Sequence, residues 1–213
     1  MKSSFYGILV VLFVLTGISS AAPEPASVQS FNQWTLKTVF TNPQQIVLEQ
    51  GVDKKPVRFW YVIITITNES GDDVEFYPKC DLVTDTFQII PAGKGVGSVV
   101  FDRIKERHKN RYPFLELLGT ADNRVLQGED NTKDIVIIWP DFDPAATSIN
   151  IFITGLSNET VEVKYPVKAT DQNEEQSKVY LRKTLELKYK ILGNPATSGG
   201  SALEYQGKSW VMR

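Results

Sequence analysis

The chain has 213 residues, a formal net charge of −2, one histidine and one cysteine. So mild a charge argues against a dedicated nucleic-acid-binding protein, which needs many cations to replace the counterions of the phosphate backbone. The single cysteine excludes an internal disulfide, and a single histidine excludes a blue-copper centre, which needs two histidines and a cysteine.

The first 21 residues have the pattern of a secretory signal peptide. Lys2 supplies positive charge, residues 8–15 are an unbroken apolar run, and residues 19–21 are small, as a cleavage site requires. The apolar run is shorter than a membrane-spanning helix. We therefore expect a secreted or periplasmic protein with no transmembrane anchor in the mature chain. Residues 22–30 are a predicted flexible leader, and residues 31–213 are a predicted single domain.

Residues 59–90 are predicted to organise the fold. Residues 59–66 contain one polar residue, Thr65, and their β-branched and aromatic side chains predict a strand that is covered on both faces. Gly, Asn and Asp residues in 68–73 predict a turn. Extended segments that return toward Ile90 complete a predicted core hairpin, interrupted at Pro78, which lacks an N–H group.

The remaining patterns predict short strands around one helical insertion. Strands are expected over 34–40, 46–48, 134–139, 149–153 and 161–167. A longer strand with alternating apolar residues is expected over 179–191, and residues 203–205 and 210–212 are expected to form a final hairpin. A helix is predicted over 99–109, with Ser98 as its cap and Pro113 beyond its end. Apolar residues at 114–118 predict a second helical turn, so the insertion spans about 98–118. The predicted fold is a mainly β, immunoglobulin-like antiparallel β-sandwich.

One stretch carries a resemblance to known proteins. The sequences Ile-Trp-Pro-Asp-Phe-Asp-Pro at 138–144 and Phe-Ile-Thr-Gly-Leu-Ser-Asn-Glu at 152–159, with Leu-Arg-Lys-Thr-Leu at 181–185, resemble a group of secreted bacterial proteins of unknown function. The resemblance covers roughly residues 57–213. It implies an immunoglobulin-like fold and no catalytic residue.

Asp141 and Asp143 form the candidate metal site. Carboxylates on an extracellular loop suit Ca²⁺, although the spacing is not that of an EF-hand. The alternative explanation is a Pro-Asp turn without a metal. The same two acids could instead serve a carboxylate-dependent glycan hydrolase, provided that they face each other across a cleft.

Other single residues are expected to be structural. His108, the lone histidine, is predicted to pack on the core at the helix end, and no Gly-x-Ser-x-Gly motif accompanies it. Cys80 is expected to be a buried small apolar residue, with an intermolecular disulfide as the alternative. Asn68 and Asn158 begin glycosylation sequons, which matter only in a eukaryotic source.

Two further surfaces are candidate binding sites. The aromatic residues Trp60, Tyr61, Phe76 and Tyr77 could stack on sugars or pack in the core. The basic run of the helix, residues 103–111, could rest on an anionic membrane or polymer, or be a solvated face.

We expect a non-catalytic binding or structural module without a cofactor, apart from the possible Ca²⁺. Its partner would be a protein or a polysaccharide of the cell envelope. The alternatives are the glycan hydrolase and a Ca²⁺-dependent adhesion module.

Overall fold

The computed structural model describes residues 32–51, 55–165, 177–193 and 203–213. The predicted signal peptide and leader lie outside these residues. Strands dominate the described chain, and their neighbours are antiparallel except for one short pair. The prediction of a mainly β fold is therefore confirmed.

The elements follow one another in chain order: β1 Lys37–Phe40, β2 Gln44–Gln50, β3 Lys55–Asn68, β4 Val74–Glu75, β5 Lys79–Thr84, β6 Ile89–Pro91, α1 Ser98–His108, β7 Glu116–Leu117, β8 Arg124–Val125, β9 Gly128–Pro140, β10 Ser148–Thr154, β11 Thr160–Tyr165, β12 Ser177–Ile191 and β13 Leu203–Met212.

Sheet 1 is built on β3. β1 and β2 pair with successive parts of one edge of β3, and β9 pairs with the opposite edge. β7 adds to β9 as a parallel strand. The long strand predicted at residues 59–66 is thus the centre of a five-stranded sheet.

Sheet 2 is built on β12. β13 pairs with one edge of β12, while β10 and β11 pair with its other edge, and β5 and β6 continue the sheet beyond β10. A third, two-stranded sheet joins β4 to β8.

The two large sheets share one hydrophobic core. Side chains of β3 at positions 60, 62, 64 and 66 point into this core, where they meet apolar residues of β5, β10 and β12. The intervening side chains of β3 point to the other side, because side chains alternate across a strand. Trp60 and Tyr61 accordingly lie on opposite faces, as the sequence predicts.

The second face of sheet 1 is covered by residues 98–118, which we call the outer layer. Val100, Ile104, Tyr112 and Leu115 of this layer are buried and form a second core with alternate residues of β3 and β9. The apolar run of β3 is therefore covered on both faces, which confirms that prediction.

The predicted core hairpin is wrong. β3 belongs to sheet 1, whereas β5 belongs to sheet 2, and the two strands are not hydrogen-bonded neighbours. The chain turns after Asn68 but then crosses between the sheets, with the short strand β4 pairing to β8 on the way. Turn residues signal a change of direction and cannot indicate which sheet receives the next strand.

Three finer predictions also need correction. The helix ends at His108, and Glu116–Leu117 form a strand beside β9 rather than a second helical turn. Gly97 is the N-cap residue, and Ser98 makes no side-chain cap hydrogen bond. β13 is one strand rather than a hairpin, because Gly207, at φ 144°, accommodates an irregularity in its pairing with β12.

The alternating pattern of β12 is confirmed only in part. Leu185, Leu187 and Tyr189 are buried as predicted, but Glu186 and Thr184 on the other face are also buried. The Glu186 carboxylate accepts hydrogen bonds from Asn150 and Ser209 on neighbouring strands, and these satisfy its oxygens. No helix in the described ranges is long and apolar enough to cross a membrane.

Candidate functional site

A cleft of about 650 Å³ opens at the end of the molecule where β3 and β10 finish. Three separate parts of the chain form it: residues 32–34, the connection 70–77 after β3, and residues 155–160 after β10, with Arg182 of β12 beside them. Its lining is mostly polar, so it suits a hydrated ligand better than an apolar one.

The Asn68 side chain holds in place the connection 70–77, which forms the first wall of the cleft. Its amide nitrogen donates hydrogen bonds to the carbonyl oxygens of Asp72 and Val125, at 2.8 and 2.9 Å. Its amide oxygen accepts from the backbone N–H of Ser70 at 3.0 Å. Farther along, the Asp73 carboxylate accepts from Arg124 at 2.8 Å. The turn that the sequence predicts at 68–73 is thus held rigidly in place.

Asn158 holds together residues 32–34 and 155–160, which form the second wall of the cleft. Its amide oxygen accepts from the backbone N–H of Trp34 at 2.9 Å, and its amide nitrogen donates to the carbonyl of Asn32 at 2.7 Å. The Ser157 hydroxyl donates to the carbonyl of Trp34 at 2.8 Å. These bonds fasten residues 32–34 against the end of sheet 2.

Gly155 allows the two walls to approach each other. Its φ of +94° lies in the left-handed region that favours glycine. A Cβ atom at this position would lie 2.7 Å from the carbonyl oxygen of Tyr77, much closer than van der Waals contact. Glycine is therefore required here for both its conformation and its lack of a side chain.

Several side chains of the cleft remain available to a ligand. Tyr77 is 58% exposed. Within the described parts of the chain, the carboxylates of Asp72 and Glu75 and the guanidinium of Arg182 make no hydrogen bond or ion pair. The cleft therefore offers an aromatic ring, acceptors and donors in one place.

Asp141 and Asp143 lie at the other end of β3 from the cleft, since β9 runs antiparallel to β3 and Pro140 pairs with Phe59. The Asp141 carboxylate accepts a hydrogen bond from Trp60 Nε1 at 2.8 Å and lies 3.4 Å from the Arg58 guanidinium. Asp141 is thus engaged with two neighbouring side chains.

The Asp143 carboxylate is also engaged. It accepts from the backbone N–H of Ala145 at 2.9 Å. This bond and, to a smaller extent, a hydrogen bond from the Thr86 side chain hold the pKa of Asp143 below its usual value. The described residues contain no group of three or more His, Cys, Asp or Glu placed to hold a metal ion. The Ca²⁺ site at Asp141 and Asp143 stays a prediction, which titration with CaCl₂ followed by the melting temperature would test.

His108 packs at the edge of the outer layer. Its Nε2 lies 2.9 Å from the hydroxyl of Tyr61, which donates to Gln44 Oε1 at 3.0 Å. Burial lowers the pKa of His108, and the nearby Arg107 and Arg111 lower it further. The neutral imidazole therefore serves as a hydrogen-bonding partner within the fold.

Cys80 is 4% exposed in the core between the sheets, and burial raises its pKa well above the usual value. The thiol is thus placed as a buried apolar residue. Asn68, the first sequon asparagine, is fully buried, and a glycan on its amide nitrogen would disrupt the hydrogen bonds that this nitrogen donates to Asp72 and Val125.

The four aromatic residues that could stack on sugars differ in their exposure. Trp60, Tyr61 and Phe76 are buried, and Tyr77 alone of the four is exposed. No local pattern indicates that Trp34 and Arg182 line the same cleft as Tyr77, because the three residues lie on distant parts of the chain. The sequence predicts a turn at Gly155 and Asn158 and a glycosylation sequon at Asn158, and neither pattern indicates a cleft.

Comparisons of the chain with protein-family models, with curated proteins and with solved structures gave no match. The resemblance to secreted bacterial immunoglobulin-like proteins therefore stays a prediction.

Proposed function

We propose that this chain is a secreted or periplasmic, immunoglobulin-like β-sandwich that acts as a non-catalytic binding module, and that its cleft binds a polysaccharide of the cell envelope. The observation that carries the proposal is the exposed ring of Tyr77 beside the unpaired polar side chains of Glu75 and Arg182.

The chemistry of the cleft suits a sugar. A tyrosine ring offers an apolar face for the C–H groups of a pyranose and a hydroxyl at its edge. Carboxylates accept hydrogen bonds from sugar hydroxyls, while a guanidinium donates several in a fixed plane. An open cleft lined by both kinds of group can bind one or two units of a longer chain without enclosing it.

The rigidity of the walls also supports binding. Asn68 and Asn158 fasten the segments that carry the cleft residues, so little conformational freedom is lost when a ligand binds. The loop residues are presented by the ends of two sheets, an arrangement in which a stable scaffold positions variable binding residues.

Affinity electrophoresis through gels that contain cell-envelope polysaccharides tests the proposal. We expect the purified chain to be retarded by at least one of them, and Tyr77→Ala and Arg182→Ala each to weaken binding by about tenfold, since each removes a contact worth about 1 kcal/mol or more. Phe114→Ala, in the outer layer, is the matched control and should leave retardation unchanged.

Two results would contradict the proposal. The first is binding that Tyr77→Ala and Arg182→Ala leave unaltered. The second is release of new reducing ends from the polysaccharide by the pure protein, which would instead establish a glycan hydrolase.

A further inference from the structure

The outer layer, residues 98–118, presents a charged face away from the sheets. Its buried side chains, including Val100 and Ile104, pack on sheet 1. Five exposed cationic side chains flank this buried stripe, at positions 103, 105, 107, 109 and 111. Of these, Arg107 also reaches back to sheet 1, where its guanidinium donates to the Tyr61 hydroxyl at 3.4 Å. We propose that this face rests on the anionic surface of a lipid bilayer.

The charge of this layer is opposite to that of the remaining chain. The layer has five Lys and Arg residues and three Asp and Glu residues, a net charge of +2, whereas the whole chain has −2. The remainder of the chain therefore carries −4. Near a negatively charged surface, such a molecule is oriented with its outer layer toward the surface.

The cationic groups keep their charge available. The Lys105 ammonium lies 5.7 Å from the centre of the Phe101 ring, and the Arg111 guanidinium lies 5.3 Å from the centre of the Tyr112 ring. Contacts with aromatic faces orient these cations without neutralising them. In this layer, Lys109 alone of the five has an ion-pair partner within the described residues, namely Glu106.

Two exposed apolar side chains favour a bilayer over a soluble anionic polymer. Phe114 is 83% exposed and Val99 is 61% exposed on this same layer. A phenyl ring gains from entering the boundary between lipid headgroups and acyl chains, and a polyphosphate or polysaccharide chain offers no such region. Cations around exposed apolar groups are the combination found on proteins that lie on membrane surfaces.

Sedimentation with lipid vesicles tests this proposal. We expect the chain to bind vesicles of phosphatidylcholine with about 30 mol% phosphatidylglycerol and not vesicles of phosphatidylcholine alone. Raising the NaCl concentration from about 0.05 M to about 0.5 M should weaken binding, because the electrostatic part is screened. All proteins compared carry the same N-terminus, so any contribution of residues 8–15 is common to them.

Matched variants separate charge from the apolar contact. The triple variant Arg103→Gln, Lys105→Gln and Arg111→Gln should lower the partition coefficient by about a hundredfold. The charge-matched control Lys79→Gln, Lys164→Gln and Lys190→Gln alters exposed lysines of sheet 2. It should reduce binding far less, since those lysines lie away from the bilayer.

Phe114→Ser should lower the partition coefficient by about tenfold. Its control is Phe87→Ser, which removes a 93% exposed ring from the turn between β5 and β6 and should have no effect. Thermal melting checks that every variant is folded.

Three outcomes would overturn the proposal: no binding to the anionic vesicles, equal losses in both triple variants, or equally tight binding to soluble polyphosphate that is insensitive to Phe114→Ser. Tyr77→Ala should leave vesicle binding unchanged, so this test is independent of the cleft.

Discussion

The Asp141 carboxylate connects two side chains at the end of sheet 1. It accepts the indole N–H of Trp60, which is 1% exposed, and it faces Arg58. Asp141→Ala would leave a buried donor without a partner, and we expect a loss of about 1–3 kcal/mol in the free energy of unfolding.

Urea denaturation measures this loss. Asp143→Ala is the comparison, because Asp143 caps its own turn near the surface and its removal should cost about 1 kcal/mol or less. A larger loss for Asp143→Ala than for Asp141→Ala would contradict the structural roles assigned to the two carboxylates.

His108 predicts a dependence of stability on pH. Burial and two arginines hold the pKa of His108 below its usual value. The unfolded chain therefore binds this proton more tightly than the folded chain. The histidine's contribution to stability is complete above its unfolded pKa of about 6.5 and is lost as the pH falls through this value toward the lowered pKa of the folded state.

Unfolding by urea at several pH values between about 7.5 and 5 tests this expectation. His108→Gln removes the titrating group, so its stability should fall less than that of the native chain over this range. Parallel curves for the two proteins would show that His108 does not contribute.

Gly155 couples the end of one strand to the connection between the sheets. A methyl group at this position would collide with the Tyr77 carbonyl, and alanine rarely adopts a φ of +94°. We expect Gly155→Ala to destabilise the protein by about 2 kcal/mol or more and also to weaken polysaccharide binding, because the cleft walls must separate.

Gly119→Ala is the matched control, since no heavy atom lies within 4 Å of a Cβ at Gly119. Its effect on the free energy of unfolding should be small. Equal melting temperatures for the two variants would refute the close approach of residues 77 and 155.

Sequence patterns predict the individual strands and the helix better than they predict which elements pair or pack together. The apolar run at 59–66 correctly indicated a strand covered on both faces, because periodicity reports the environment of a side chain directly. It could not tell that a helix covers one face and a second sheet the other. For the same reason, the pattern predicts a hairpin of β3 and β5, although the two strands belong to different sheets.

The candidate cleft was less predictable than the fold. The sequence predicts Tyr77 as an aromatic candidate, but Arg182 comes near it only through pairing between distant strands, and Trp34 only through hydrogen bonds to Asn158 and Ser157. The Asn158 side chain, which holds residues 32–34, had the signature of a turn or a sequon. Such sites depend on tertiary contacts that no local pattern records.

The molecule as a whole has three layers, with sheet 1 in the middle. Ile63 and Ile64 are neighbours on β3, yet they are buried on opposite sides of this sheet, at 1% and 0% exposure. We therefore expect Ile63→Ala and Ile64→Ala to destabilise the protein similarly, each by about 2–5 kcal/mol.

Chemical denaturation of the two variants measures the attachment of the outer layer. If residues 98–118 were only loosely packed, Ile63→Ala would cost much less than Ile64→Ala. A comparable loss in both would establish that the layer is an integral part of the folded molecule.

The pairing of β3 with β9 has a consequence for how the chain is made. Paired residues of these strands, from Ile66 with Lys133 to Phe59 with Pro140, are 67 to 81 positions apart. During synthesis the apolar run 59–66 emerges long before its partner strand β9. Its apolar side chains are therefore exposed and prone to aggregation until β9 has been made. A chaperone that shields residues 59–66 until residue 140 has been made should therefore raise the yield of folded protein.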